Sequence, residues 1–213
     1  MKLATWNINS LTVRLPQVLE WLAAQAAAGA PVDVLALQEL KLTDDKFPLE
    51  AFHQAGYAAA VFGQKTYTRA PRMPQDVVRN IPGFADEMAR VITATVEAPG
   101  GALRVVGAYF PNGQEPGSDK FAYKMRWLDA LRGWLREELQ RHPRLVLMGD
   151  FNITFDDRDV WDPVALAGTI HCTDEERAQL GALTALGLVD AFRLFEQPPK
   201  TFSWWDYRQL GFQ

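Results

Sequence analysis

The chain has 213 residues, with 22 Lys+Arg, 26 Asp+Glu and a net charge of −4. Its content of 48% apolar and 23% charged residues excludes a disordered chain, and at roughly 100–200 residues per domain it makes one large domain or two small ones. The acidic balance argues against a protein that holds nucleic acid by bulk charge, but not against one using a local basic patch and a bound cation. The single cysteine, Cys172, excludes a disulfide framework and a cysteine-rich metal site. The N-terminus lacks an apolar signal region and no apolar run is long enough for a membrane helix, so a cytoplasmic protein without membrane contact is expected.

In chain order, short apolar strands alternate with amphipathic helices. Leu3–Ile8 reads as a first strand, and Pro16 stands at the first position of a helix carrying Val18, Leu19, Leu22 and Ala23. Gly29 and Pro31 stop that helix before a buried-type strand, Val32–Leu37. Pro48 opens a short helix, Tyr57–Phe62 is a further strand, and the proline- and arginine-bearing stretch from Gly63 to Glu87 reads as irregular. Val91–Glu97 and Leu103–Ala108 flank Pro99-Gly100-Gly101 as a hairpin. Ser118–Arg141 is a long helix with Phe121, Met125, Leu128, Leu131 and Leu135 on one face. A strand, Arg144–Met148, follows, and Thr173 with Glu176 forms a capping box before a helix ending near Gly187. Hairpins mixed with helices predict an α+β layered domain.

Polar residues stand at the ends of three of these strands: Asn7 and Asn9, Gln38-Glu39, and Asp150 with Asn152. On extended chain Asp150 and Asn152 point the same way and face one site. Glu39 with amide and carboxylate oxygens elsewhere is a hard-ligand set suited to Mg²⁺ rather than Zn²⁺. Taken singly, Gln-Glu after a strand is the start of a solvated loop, and Asp-x-Asn is turn chemistry. It is their co-occurrence at strand ends, where sites assemble, that points to function.

Five blocks occur in one order: Thr5-Trp6-Asn7-Ile8-Asn9-Ser10, Leu37-Gln38-Glu39-Leu40-Lys41, Tyr109-Phe110-Pro111-Asn112-Gly113, Gly149-Asp150-Phe151-Asn152-Ile153 and Trp205-Asp206-Tyr207-Arg208. In these the chain resembles the exonuclease III family of apurinic/apyrimidinic endonucleases, within the endonuclease/exonuclease/phosphatase superfamily. The resemblance implies one α/β domain spanning 1–213, a four-layered sandwich of two mixed β-sheets packed face to face with helices outside. It implies a monomeric, Mg²⁺-dependent (or Mn²⁺-dependent) DNA-repair phosphodiesterase that hydrolyses duplex DNA at abasic sites and 3′ ends. By the same resemblance Glu39 is the principal metal ligand with Asn7 beside it, and Tyr109, Asp150 and Asn152 are catalytic. Tyr109 contacts the phosphate, Asp150 orients or deprotonates the attacking water, and Asn152 positions phosphate and water. Arg90, Asn112, Lys120, Trp205, Asp206 and Arg208 are implied DNA contacts. Other readings stay open: Tyr109 capping a strand, Arg90 beginning one, and Trp204 or Trp205 serving the core.

The chain also departs from that family. After Gly63-Gln64-Lys65-Thr66-Tyr67 it passes straight to Thr68-Arg69-Ala70-Pro71, so an internal strand is expected to be missing. At Gly211-Phe212-Gln213 it stops short of the family's Arg-Ile-Asp strand and catalytic Ser-Asp-His segment. His53, His142 and His171 stand in contexts that do not replace that pair. A DNA-binding remnant without turnover, or a phosphoesterase acting on other phosphate esters, are the alternative functions.

Overall fold

The computed structural model describes residues 1–62, 66–70 and 74–204. The chain divides into two units, one of Met1–Phe110 with Glu137–Asp150, the other of Pro111–Arg136 with the chain from Phe151 onward. Both β-sheets belong to the first unit. Strands β1 (Leu3–Asn7), β2 (Val34–Gln38), β3 (Ala58–Phe62) and β4 (Thr66–Ala70) form one sheet in the order β1-β2-β4-β3. Strands β5 (Gln75–Arg79), β6 (Val91–Ala98), β7 (Gly101–Tyr109) and β8 (Leu145–Asp150) form the other in chain order. Each sheet is mixed, with β1 parallel to β2 and β7 parallel to β8 while the remaining pairs are antiparallel.

The sheets pack face to face, and the core between them is Val34 and Ala36 of β2 against Val96, Leu103, Val105 and Met148. On the other face of the first sheet, α1 (Leu11–Ala27) buries Leu11, Val18 and Leu22 among Leu35, Leu37, Phe52 of α2 (Leu49–Gln54) and Tyr57. Period-2 alternation thus splits β2, with Val34 and Ala36 on one side and Leu35 and Leu37 on the other. This is the layered α/β architecture expected, with its two mixed sheets. No helix among the described residues is long and apolar enough to cross a membrane.

Two local expectations fail. First, α1 begins at Leu11, so Pro16 lies inside the helix rather than at its start. Burial of Leu11 with Leu15 and Val18 on one face outweighs the single backbone hydrogen bond that Pro16 cannot donate. Second, the stretch from Gly63 to Glu87 contains β4 and β5. In the first sheet β4 lies between β2 and β3, antiparallel to both. A register shift in β5 between Gln75 and Val78, with Asp76 at φ +48°, interrupts the alternation by which the strand would have been read.

In the second unit, α3 (Asp119–Arg141) contributes its length up to Arg136, followed by α4 (Pro163–Leu166) and α5 (Asp174–Thr184). The capping box at α5 is present: Thr173 accepts from the Glu176 N–H, and the Glu176 carboxylate accepts from the Thr173 N–H. The long-helix face reads as predicted through Phe121, Leu128, Leu131 and Leu135, but Lys124 is also fully buried on it.

One glycine is demanded by the strand that carries Asp150. Gly149, at φ +145°, pairs with Ala108, whose carbonyl oxygen lies 1.8 Å from where a Cβ at 149 would stand. Gly149→Ala must therefore shift backbone, and it should lower stability by at least about 1–3 kcal/mol. Urea unfolding of the variant beside the parent checks this.

Candidate active site

The two parallel strand pairs bring polar residues to matching ends. In the register Asn7 stands beside Gln38 and Tyr109 beside Asp150. Alternation then separates the Gln38-Glu39 pair. Gln38 is buried and exchanges hydrogen bonds with the Thr5 hydroxyl at 3.0–3.2 Å. Glu39 leaves the strand with φ +53°, an uncommon conformation for a non-glycine residue and one that concentrates at functional sites.

Four side chains of the first unit converge there. Asn7 Nδ2 donates to Glu39 Oε1 at 3.1 Å and to Asp150 Oδ2 at 2.7 Å. The Tyr109 hydroxyl donates to the same Glu39 oxygen at 2.9 Å. Lys41 Nζ stands 3.6 Å from Glu39 Oε2 and donates to Asn9 Oδ1. Asn7 Oδ1 accepts from the Asn9 N–H at 3.1 Å, which holds the amide in this orientation. Burial, then the Glu39 charge and its hydrogen bond, and then Asp150 push the Tyr109 phenol well above its ordinary pKa of 10.0. Its hydroxyl is therefore a donor, not a phenolate, at neutral pH.

Arg90 lies behind Tyr109 rather than on the surface. It is 8% exposed, its guanidinium carbon stands 5.7 Å from the Tyr109 ring centre, and Nη1 donates to the Tyr109 carbonyl at 3.4 Å. Nε faces the Asp86 carboxylate at 3.8 Å.

The remaining described candidates belong to the second unit. Asn152 has φ +48°, so the extended-chain argument that paired it with Asp150 does not reach past the end of β8. Its side-chain oxygen meets Asn112 Nδ2 at 3.5 Å. The same Asn112 nitrogen lies 3.3 Å from His171 Nε2, and His171 Nδ1 lies 2.6 Å from the Asn152 carbonyl. The carbonyl can only accept, so His171 Nδ1 carries the hydrogen in that contact. The His171 ring also stands 5.4 Å from that of half-buried Trp204. Lys120 is exposed in the first turn of α3. Trp205, Asp206 and Arg208 lie outside the described residues.

Residue-type reasoning missed Lys124 and Glu176 as partners and gave His171 no role. The capping box announced Glu176, but only as a helix start. A lysine on an apolar helical face reads as a stem that snorkels to solvent, so no local signal marks Lys124.

The donor set of the first unit fits a hard divalent cation. It offers the partly exposed Glu39 carboxylate, the Asp150 carboxylate and the Asn7 amide oxygen, with no nitrogen or sulfur ligand among the four converging side chains. Magnesium keeps several waters and takes one or two protein carboxylates, as these can supply.

Residues 4–211 match the Endonuclease/Exonuclease/phosphatase family. The exodeoxyribonuclease III of Haemophilus influenzae is 32% identical over 228 aligned positions, covering 100% of this chain and 82% of the relative. Those 228 positions exceed the 213 residues here, so the relative carries insertions that this chain lacks. The solved 3′-5′ exonuclease NExo from Neisseria meningitidis superposes with a TM-score of 0.92 at 41% identity, covering 100% of this chain and 81% of that one. A form of NExo described as a 3′ phosphatase and bound to product DNA hairpin gives 0.89 at 40%, with 100% and 81% covered. An AP endonuclease from Archaeoglobus fulgidus gives 0.85 at 28%, covering 98% of this chain and 79% of its own. The chain belongs to the endonuclease/exonuclease/phosphatase family, in its exonuclease III/AP endonuclease group, and is a hydrolytic enzyme of that type.

The burial of Arg90 yields a prediction that separates packing from DNA contact. Arg90→Met removes the guanidinium that faces the Asp86 carboxylate, 3% exposed, and breaking such a buried pair costs about 3–5 kcal/mol. The expected outcome is a lower thermal midpoint. A DNA phosphate contact would instead lower the salt dependence of binding by about one ion with stability unchanged. Thermal unfolding and salt titrations of duplex binding measure the two.

Proposed function

We propose that this enzyme is a Mg²⁺-dependent DNA-repair nuclease that hydrolyses phosphodiesters and phosphomonoesters at 3′ ends and abasic sites of duplex DNA. The observation that carries the reading is the shared hydrogen bonding of Glu39, Asp150, Asn7 and Tyr109 at the ends of four strands. Its 3′-end emphasis is supported by the likeness to NExo, described as a 3′-5′ exonuclease and as a 3′ phosphatase, at 41% and 40% identity. The abasic-site activity is supported by the likeness to an AP endonuclease at 28%.

In this reading Glu39 and Asn7 hold the cation, which when bound supplies a Lewis acid for the phosphoryl oxygen. Asp150 takes the proton of the attacking water, its carboxylate oriented by the amide of Asn7. The Tyr109 hydroxyl donates toward the charge that develops on phosphate as the bond to the leaving oxygen breaks. Asn152, held by Asn112, contributes a neutral amide donor, and Lys120 on exposed α3 adds a backbone-phosphate contact. The same constellation serves a terminal phosphate, an internal phosphodiester and an abasic site, because each presents a tetrahedral phosphate to an attacking water.

Cleavage assays test the reading directly. A 3′-phosphorylated hairpin, a plain duplex 3′ end and an abasic duplex should all be hydrolysed with Mg²⁺, and all three activities should vanish in EDTA. Full activity in EDTA would sink the metal assignment. Glu39→Gln should raise the Mg²⁺ needed and slow turnover together. Tyr109→Phe, which removes one preorganised donor, should cost about 10²–10³ in kcat.

A further inference from the structure

Lys124 and Glu176 are both fully buried, and they form an ion pair within the second unit. A charged pair removed from water gains little net stability over apolar residues of the same volume. Its hydrogen bonds indicate what else it does. The ammonium has three N–H donors, and it meets three acceptors: Glu176 Oε1, the Asn152 carbonyl at 2.7 Å and the Asn112 carbonyl at 3.2 Å. Glu176 Oε2 accepts from the Thr173 N–H at 3.2 Å and from its hydroxyl at 2.8 Å.

The turn beside Asn112 is shaped around the Lys124 stem. Gly113 has φ +89°, and a Cβ there would stand 3.0 Å from Lys124 Cδ and 2.9 Å from Ile170 Cδ1. The Asn152 carbonyl receives a second donor, His171 Nδ1 at 2.6 Å, which fixes a backbone held at φ +48°. Asn112 and Asn152 sit on irregular chain, where nothing in a helix or strand ladder orients them. One ammonium, itself held by a helix-capping carboxylate, ties both backbones to α3 and α5.

We propose that Lys124 is a positioning residue: through its pair with Glu176 it sets the Asn112 and Asn152 backbones, and so places the Asn152 side-chain amide that the proposed reading offers to phosphate. This rests on the proposed hydrolase reading for its kinetic consequence, and on geometry alone for its structural one. A misplacement of about 1 Å in such donors costs on the order of 10²-fold in rate.

The test separates support of the fold from positioning. Lys124→Met leaves Glu176 buried and unpaired, and it should lower the thermal midpoint. Lys124→Met/Glu176→Gln removes both charges, keeps an acceptor for Thr173, and should recover most of that midpoint. In the folded double variant kcat on a 3′-phosphorylated hairpin with Mg²⁺ should stay about 10²-fold down. KM should change less than kcat, and the backbone and side-chain amide NMR signals of Asn112 and Asn152 should be displaced. Recovery of kcat together with the midpoint, with those signals at parental positions, would overturn the proposal. If the parent hydrolyses none of the three DNA substrates, the hydrolase reading falls, and the amide signals alone decide the role of Lys124. Should the Met double variant not fold, Lys124→Gln/Glu176→Gln is read by the same signals and rates.

Discussion

One side-chain amide organises the candidate centre. Glu39 follows a strand of one sheet and Asp150 ends a strand of the other, and two carboxylates so placed repel unless something stands between them. Asn7 donates to both, at 3.1 and 2.7 Å. Its neutrality matters as much as its two N–H groups. Lysine in its place would cancel charge that a divalent cation needs, and aspartate would add a third carboxylate with no proton to donate at neutral pH. The Tyr109 hydroxyl adds a further neutral donor to Glu39. The centre is therefore hydrogen-bonded into shape while keeping its negative charge.

That arrangement depends in turn on the sheets. Parallel pairing of β1 with β2 and of β7 with β8 puts Asn7 beside Gln38 and Tyr109 beside Asp150. The apolar layer of Val34, Ala36, Val96, Leu103, Val105 and Met148 holds the two sheets together. The chain then departs from the strands abruptly. Asn9 at φ +45° and Glu39 at φ +53° occupy the left-handed region, a conformation that surrounding hydrogen bonds must hold. The Asn9 N–H donates to Asn7 Oδ1 and the Ser10 N–H to the Glu39 carbonyl at 2.7 Å, so the two exits support each other.

What could be read from residues alone follows the same division. Strands β1, β2, β3, β6, β7 and β8 and helices α2, α3 and α5 were legible, because each carries clean periodicity bounded by Gly, Pro or a capping box. Asn7, Glu39, Tyr109 and Asp150 were legible as oxygen donors and polar groups at strand ends, and as blocks in a family order. Strands β4 and β5 were not, because prolines and a register shift break their pattern. The start of α1 was misplaced because Pro16 looks like a first-turn residue, while the burial of Leu11 is a tertiary fact. The burial of Arg90 and of Lys124 was not legible, for a common reason. Basic residues default to the surface, and only the fold reveals the acceptors that let them be buried.

The protonation of Tyr109 divides the chemical labour. A phenol pushed well above 10.0 by burial and by the charges of Glu39 and Asp150 cannot accept a proton at neutral pH, and it cannot act as a phenolate nucleophile. It can only donate. In the proposed reading the base of this cluster is therefore a carboxylate. Glu39 Oε1 already receives hydrogen bonds from Tyr109 and Asn7, and its Oε2 faces Lys41. Both Glu39 oxygens thus already face donors or a cation within the cluster. Asp150 Oδ2 accepts from the same Asn7 amide, and in the proposed reading it is the carboxylate that takes the proton of the attacking water.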